Sequence, residues 1–252
     1  VQLDEGAYYI DTGVGELVAD PRNPSGWLLV VNGLESSYVD LSDPTWLEFE
    51  YVSWMGIAID LVRAPEQPVR AVHLGGGGCT LPRYVAATRP GSDQVVFEID
   101  AELVRMVTYA FRAHEIDGVR LQVLDALEGM RTLPPQSYEV VVRDAFTGGD
   151  VPAHLTGEEL LDQAARVLVP NGIYLANVPA EADLEAAKAE AALATTRFDH
   201  VAMFVDPGQL RGRHFGNVVL AASQHPLPLD ELARRLHRAI ATARVVPVTQ
   251  RR

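Results

Sequence analysis

Two stretches decide the fold: Val72-His-Leu-Gly-Gly-Gly-Gly-Cys-Thr80 and Val95-Val-Phe-Glu-Ile-Asp100. In the first, an apolar run of strand length enters a glycine cluster. In the second, about twenty residues on, an apolar run ends in acids. Glycine lets the chain turn sharply off a strand and lets a ligand approach the backbone. Glu98, at the end of the second run, can accept hydrogen bonds from ribose hydroxyls. The pair reads as the nucleoside-binding corner of a parallel α/β domain. A glycine-rich turn with an unrelated acid downstream is the plainer alternative.

Further along, Val119-Arg-Leu-Gln-Val-Leu-Asp-Ala126 places Asp125 after a third strand pattern, where a short polar side chain can read an adenine amino group. A fourth pattern, Tyr138-Glu-Val-Val-Val-Arg-Asp144, ends in another acid and leads into a glycine-bearing loop that carries Asp150. A dinucleotide site calls for G-x-G-x-x-G; Gly75 and Gly77 fit, but Thr80 stands in the third place. Carboxylates at successive strand ends repel a pyrophosphate and attract a sulfonium, so an S-adenosyl-type ligand suits them better. Asp144 would then face the reactive end of that ligand, where it can orient an attacking amine or help remove its proton. The competing reading makes Asp144 a turn cap.

Around this centre the chain alternates. Strands are expected near 70–74, 94–98, 119–123, 139–143 and 172–178, and helices near 81–88, 101–115, 156–168, 181–195 and 228–242. Strands near 199–205 and 216–222 are expected to pair as a hairpin. Asp100 is expected to cap the second of these helices, Thr156 with Glu159 to form a capping box on the third, and Gly172 to stop it. Upstream, Tyr8-Tyr-Ile, Gly15-Glu-Leu-Val-Ala and Trp27-Leu-Leu-Val-Val read as short strands of an antiparallel appendage. A connecting helix is expected over 44–62, with Asp43 as cap and Pro44 in its first turn. The organisation predicted is a β appendage with its helix over 1–62 and a Rossmann-like domain over 63–252.

Composition narrows the function. With 252 residues and 48% hydrophobic side chains, the chain can bury a sizeable core. A formal net charge of −13 argues against a nucleic-acid partner and suits a cationic small ligand. The single cysteine, Cys79, excludes an internal disulfide and fits a reducing cytoplasm; with no basic neighbour to lower its pKa it reads as a small turn residue. The seven histidines show no ligand spacing, so no metal is expected. His154 reads as a surface loop residue, with a general base as the alternative. No run of eighteen apolar residues suggests a membrane span, and no signal peptide is visible.

The glycine cluster, the Phe97-Glu-Ile-Asp100 acid, the Val123-Leu-Asp-Ala126 segment and Asp144 resemble spermidine synthases and related aminopropyltransferases. Leu29-Val-Val-Asn-Gly-Leu-Glu-Ser-Ser-Tyr-Val-Asp40 is similar to that family's L-D-G-x-x-Q-S-x-x-D segment, and the order of elements agrees over about residues 8–222. The resemblance implies a methyltransferase-type Rossmann fold with a small N-terminal β domain. It also implies aminopropyl transfer from decarboxylated S-adenosylmethionine to a small amine such as putrescine, in a homodimer. On it, Gly75, Gly76 and Gly77 hold the nucleoside and Glu98 its ribose. Asp125 and Ala126 bind the adenine, Glu35 lies near the methylthio end, and Asp144 is the catalytic acid.

The departures fall on the amine half of the site. The family's loop acid is Gly78 here, and its D-S-S-D tetrad is Asp144-Ala-Phe-Thr147. The late aromatic segment becomes Pro207-Gly-Gln-Leu-Arg-Gly-Arg-His-Phe-Gly216, whose Arg211 and Arg213 suit an anionic group or form a solvated turn. Asp40, Thr147 and Asp150 are the candidates for holding an acceptor instead. Two other functions stay open: methyl transfer from S-adenosylmethionine to an unknown acceptor, and non-catalytic nucleoside binding.

Overall fold

The computed structural model describes residues 4–249. Its first strands, β1 (Gly6–Ile10), β2 (Gly13–Ala19), β3 (Gly26–Val31) and β4 (Leu34–Asp40), form an antiparallel meander in chain order. Then come α1 (Glu50–Ile59), β5 (Arg70–Leu74), α2 (Thr80–Thr88), β6 (Asp93–Glu98), α3 (Ala101–Phe111), β7 (Val119–Val123), α4 (Ala126–Thr132) and β8 (Tyr138–Arg143). The chain continues through α5 (Glu158–Val167), β9 (Leu168–Ala180), α6 (Glu185–Ala194), β10 (His200–Val205), β11 (Gly216–Ser223), α7 (Leu229–Arg238) and β12 (Arg244–Val248).

The large sheet runs β12-β10-β11-β9-β8-β5-β6-β7. It is parallel from β9 to β7 and antiparallel where β11, β10 and β12 join. Strands buried on both faces favour continuous apolar side chains: β8 is buried throughout, with Val140, Val141 and Val142 at its centre and Glu139 and Arg143 ion-paired to Arg63 and Glu190. Growth of the sheet reverses between β5 and β8, and the crevice at such a reversal is where open α/β sheets take their ligands. The backbone stitches the strand ends together there: Gly75 N donates to Phe97 O at 2.9 Å, and Asp144 N to Leu74 O at 2.9 Å.

The small sheet shares its core with the large domain. Ile10, Leu17, Trp27 and Leu29 pack against Leu103, Met106 and Phe111 of α3. Asp100 fastens the two: its carboxylate accepts from Leu103 N at 2.7 Å, capping α3 as expected, and from Thr12 N and Thr12 Oγ1, each at 2.7 Å. On the other side, α1 lays Trp54, Met55 and Ile59 over Val140, Val142 and Val219 of the large sheet. Buried Arg89 gathers the carbonyls of Asp60, Ala64 and Gln67, which organises the segment leading into β5.

Several local expectations are corrected. The connecting helix starts at Glu50; Asp43 does accept from Thr45 N and Oγ1, but the cap holds only the single turn at Pro44 and Thr45. Thr156 forms no capping box; its hydroxyl donates to Ala153 O at 3.0 Å and α5 begins after Gly157. Gly172 lies inside β9 and does not end a helix. The helix expected to 115 breaks at Arg112, which takes a left-handed φ of 51°. β4, α4 and β12 are additional elements. No helix among the described residues is long and apolar enough to cross a membrane.

Candidate active site

A cleft of about 460 Å³ opens at the carboxyl ends of β5, β6 and β8, between β4 and the loop after β8. Its first wall is the glycine turn. Gly75 leaves β5 with φ +97°, and a Cβ there would lie 2.3 Å from the carbonyl oxygen of Asp144, so only glycine fits. Gly76 N donates to Glu98 Oε2 at 2.8 Å, and Asp100 N to Glu98 Oε1 at 3.1 Å, which fixes the acid at the cleft edge. Cys79 is buried at the start of α2, and burial pushes its thiol up to about 12, so it is no nucleophile at neutral pH.

Asp125 caps α4. Its Oδ1 accepts from Leu127 N at 2.9 Å and Glu128 N at 3.1 Å, while Oδ2 meets His154 Nε2 at 2.8 Å. Burial acts to raise its pKa, but the Glu128 amide and His154 outweigh it and hold the carboxyl below its ordinary value.

Asp144 lies at the floor, between two neutral donors. Tyr51 Oη donates to its Oδ2 at 3.2 Å, and Asn177 Nδ2 to its Oδ1 at 2.9 Å. Burial dominates over these bonds and over the charge of Arg143, so its pKa stands above the usual aspartate value. Burial together with the Asp144 charge keeps the Tyr51 phenol protonated. Asn177 Oδ1 is buried without a partner.

A second cavity of about 560 Å³ adjoins the first and shares Glu35, Tyr38, Phe49, Tyr51 and Asn217 with it. Asp20, Arg22, Glu48, Glu50 and Trp54 also line it, so it offers carboxylates, one guanidinium and aromatic faces. The main cleft carries Glu35, Glu98, Asp100, Asp125 and Asp144, and no Lys or Arg lines it among the described residues.

The structure therefore brings Gly75, Gly76, Gly77, Glu98, Asp125, Ala126, Glu35, Asp144 and Thr147 to one cleft. Two expected acceptor ligands lie outside it. Asp40 spends Oδ1 on Ser25, Ser42 and Asp43 and Oδ2 on Asn23, so it organises the turn after β4. Asp150 is exposed, with its backbone paired to Thr147 at the loop tip. Arg211 and Arg213 are likewise exposed and away from the cleft, whereas Phe215 of the same loop lines it. At Gly78, a Cβ would approach Val39 Cγ2 to 2.8 Å and Ser37 Cβ to 3.0 Å. The loop acid that the resemblance places there is thus replaced by close packing of β4.

Fold and cleft together define an α/β protein of the methyltransferase-type Rossmann class. No family model matches the sequence. The chain is 34% identical to a probable spermidine synthase from Corynebacterium glutamicum of known crystal structure, covering 98% of this chain and 91% of that one with a TM-score of 0.89. The chain belongs to the spermidine synthase family. It is 28% identical to the polyamine aminopropyltransferase of Vibrio vulnificus over 113 residues, a match that spans 44% of this chain and only 38% of that relative. A spermidine synthase crystallised with the transition-state analogue AdoDATO shares the fold, at 13% identity and TM-score 0.68 over 94% of this chain and 78% of that one.

Tyr51, Asn177 and Phe215 escape a sequence reading. A signal existed for Asn177, since a polar side chain inside an apolar strand run needs a buried partner. Tyr51 sits in a helix whose apolar spacing reads as core alone.

Proposed function

We propose that this protein is an aminopropyltransferase, using decarboxylated S-adenosylmethionine to alkylate a small amine. The observation that carries the reading is the charge of the cleft: among the described residues five carboxylates and no Lys or Arg line it, which matches a sulfonium donor and an ammonium-bearing acceptor. Glu98 receives the ribose hydroxyls, Asp125 and Ala126 the adenine, and Glu35 stands toward the methylthio end. The acceptor enters from the second cavity, where Glu48 and Glu50 neutralise a distal ammonium and the Phe49 and Trp54 rings flank its methylenes. Thr147 remains a cleft-side contact for it.

The donor supplies a carbon activated by the adjacent sulfonium. Attack by the amine nitrogen forms the N–C bond as the C–S bond breaks, and the nucleoside leaves as a neutral thioether. The nitrogen then carries an extra proton, which Asp144 accepts or holds as an ion pair. Tyr51 and Asn177 keep that carboxylate aimed. Most of the acceleration comes from alignment and from charges fixed in advance.

The test is release of methylthioadenosine from decarboxylated S-adenosylmethionine with putrescine or a longer polyamine. Release that disappears in Asp144→Asn supports the proposal. Methyl transfer from intact S-adenosylmethionine with no use of the decarboxylated donor overturns it.

A further inference from the structure

Asp125 has four lone-pair sites to satisfy, and the structure accounts for three. Two on Oδ1 take the amides of Leu127 and Glu128, and one on Oδ2 takes His154 Nε2. One acceptor site is left, on Oδ2 next to the imidazole, and both residues line the cleft. We propose that the Asp125–His154 pair is a selector for 6-aminopurine nucleosides, with His154 as the positioning residue. This rests on the nucleoside reading of the cleft given above.

The argument is one of remaining valence. A carboxylate pinned at three sites cannot turn, so its last lone pair has a fixed direction and takes a single N–H donor. A 6-amino group supplies that donor. A 6-oxo group presents a lone pair instead and leaves two acceptors facing each other, an unpaired contact of the kind that gives strong discrimination. His154 comes from the turn at Ala153–Leu155, whereas Asp125 begins α4, so their contact also ties the loop after β8 to the adenine side of the cleft. Without the imidazole, Oδ2 regains a second free site that water can fill, and a bridging water can donate to a 6-oxo group. The preference then weakens although the capping bonds to α4 survive.

The experiment compares calorimetric Kd values for methylthioadenosine and methylthioinosine in the wild type, His154→Leu and His154→Gln. Wild type is expected to favour the 6-amino nucleoside by a hundredfold or more. His154→Leu should cut that ratio by roughly threefold to tenfold, the size of one hydrogen bond, and His154→Gln, which keeps a donor, should restore most of it. A ratio unchanged in His154→Leu overturns the selector while leaving the nucleoside site standing. Failure of the wild type to bind methylthioadenosine overturns the nucleoside reading and the selector with it.

Discussion

At the scale of single residues, the site turns on one carboxylate whose surroundings work against each other. Burial disfavours the charged form of Asp144, and the bonds from Tyr51 and Asn177 favour it without fully offsetting the loss of water. A native pKa above the unfolded value means the folded state holds more protons in that interval, so stability falls as pH rises through it. Asp144→Asn should therefore melt higher than wild type at neutral pH while losing about a hundredfold or more in turnover, the usual worth of a positioned proton acceptor. Wild-type activity should fall toward acid with an apparent pKa above that of an ordinary aspartate, because only the ionised form takes the proton. Thermal melts at pH 4 and pH 7 beside a pH–rate profile check both signs. Glu98, Asp125 and Asp144 are legible in the sequence because each is an acid where an apolar run stops. Asp40 looks the same in one dimension; only the fold reveals that Asn23, Ser25 and Ser42 have already taken its oxygens.

Among the elements, the strands of the parallel sheet are the most legible part, since burial on both faces forces unbroken apolar runs such as Val140-Val-Val. Helix boundaries are less so. α4 is short and carries Glu128 and Arg131, so no apolar stripe announces it, and its start is signalled only by the capping role of Asp125. The expected box at Thr156 fails because the hydroxyl turns back to Ala153 O. Asp100 shows the opposite case, a cap readable from sequence whose second duty is invisible there. It also accepts from Thr12 and Asp11, joining the β1–β2 hairpin to α3. Asp100→Ala removes a helix cap and leaves those donors unpaired, so it should cost about 2–4 kcal/mol in urea-monitored unfolding. Burial raises the Asp100 pKa less than the Thr12 and Leu103 bonds lower it. Its stabilisation is thus present above the unfolded aspartate pKa and is lost as pH falls through the lower native value.

Across the whole molecule, a small sheet and a large one close on an acid-lined cleft. The small sheet buries Trp27 and Leu29 against α3, and its strand β4 fills the space over Gly78. The same packing that completes the cleft wall leaves no room for a loop acid, while the aromatic and acidic cavity lies beside Tyr51. That exchange involves residues far apart in the chain, Val39 with Gly78 and Glu48 with Asn217, which is why it cannot be read from local pattern. The most direct test is a crystal structure with methylthioadenosine bound. We expect the ribose hydroxyls on Glu98, the adenine amino group on Asp125 beside His154, and the thioether sulfur turned toward Asp144 and the second cavity. A nucleoside seated outside this cleft, or reversed so that its sulfur points away from Asp144, contradicts the account.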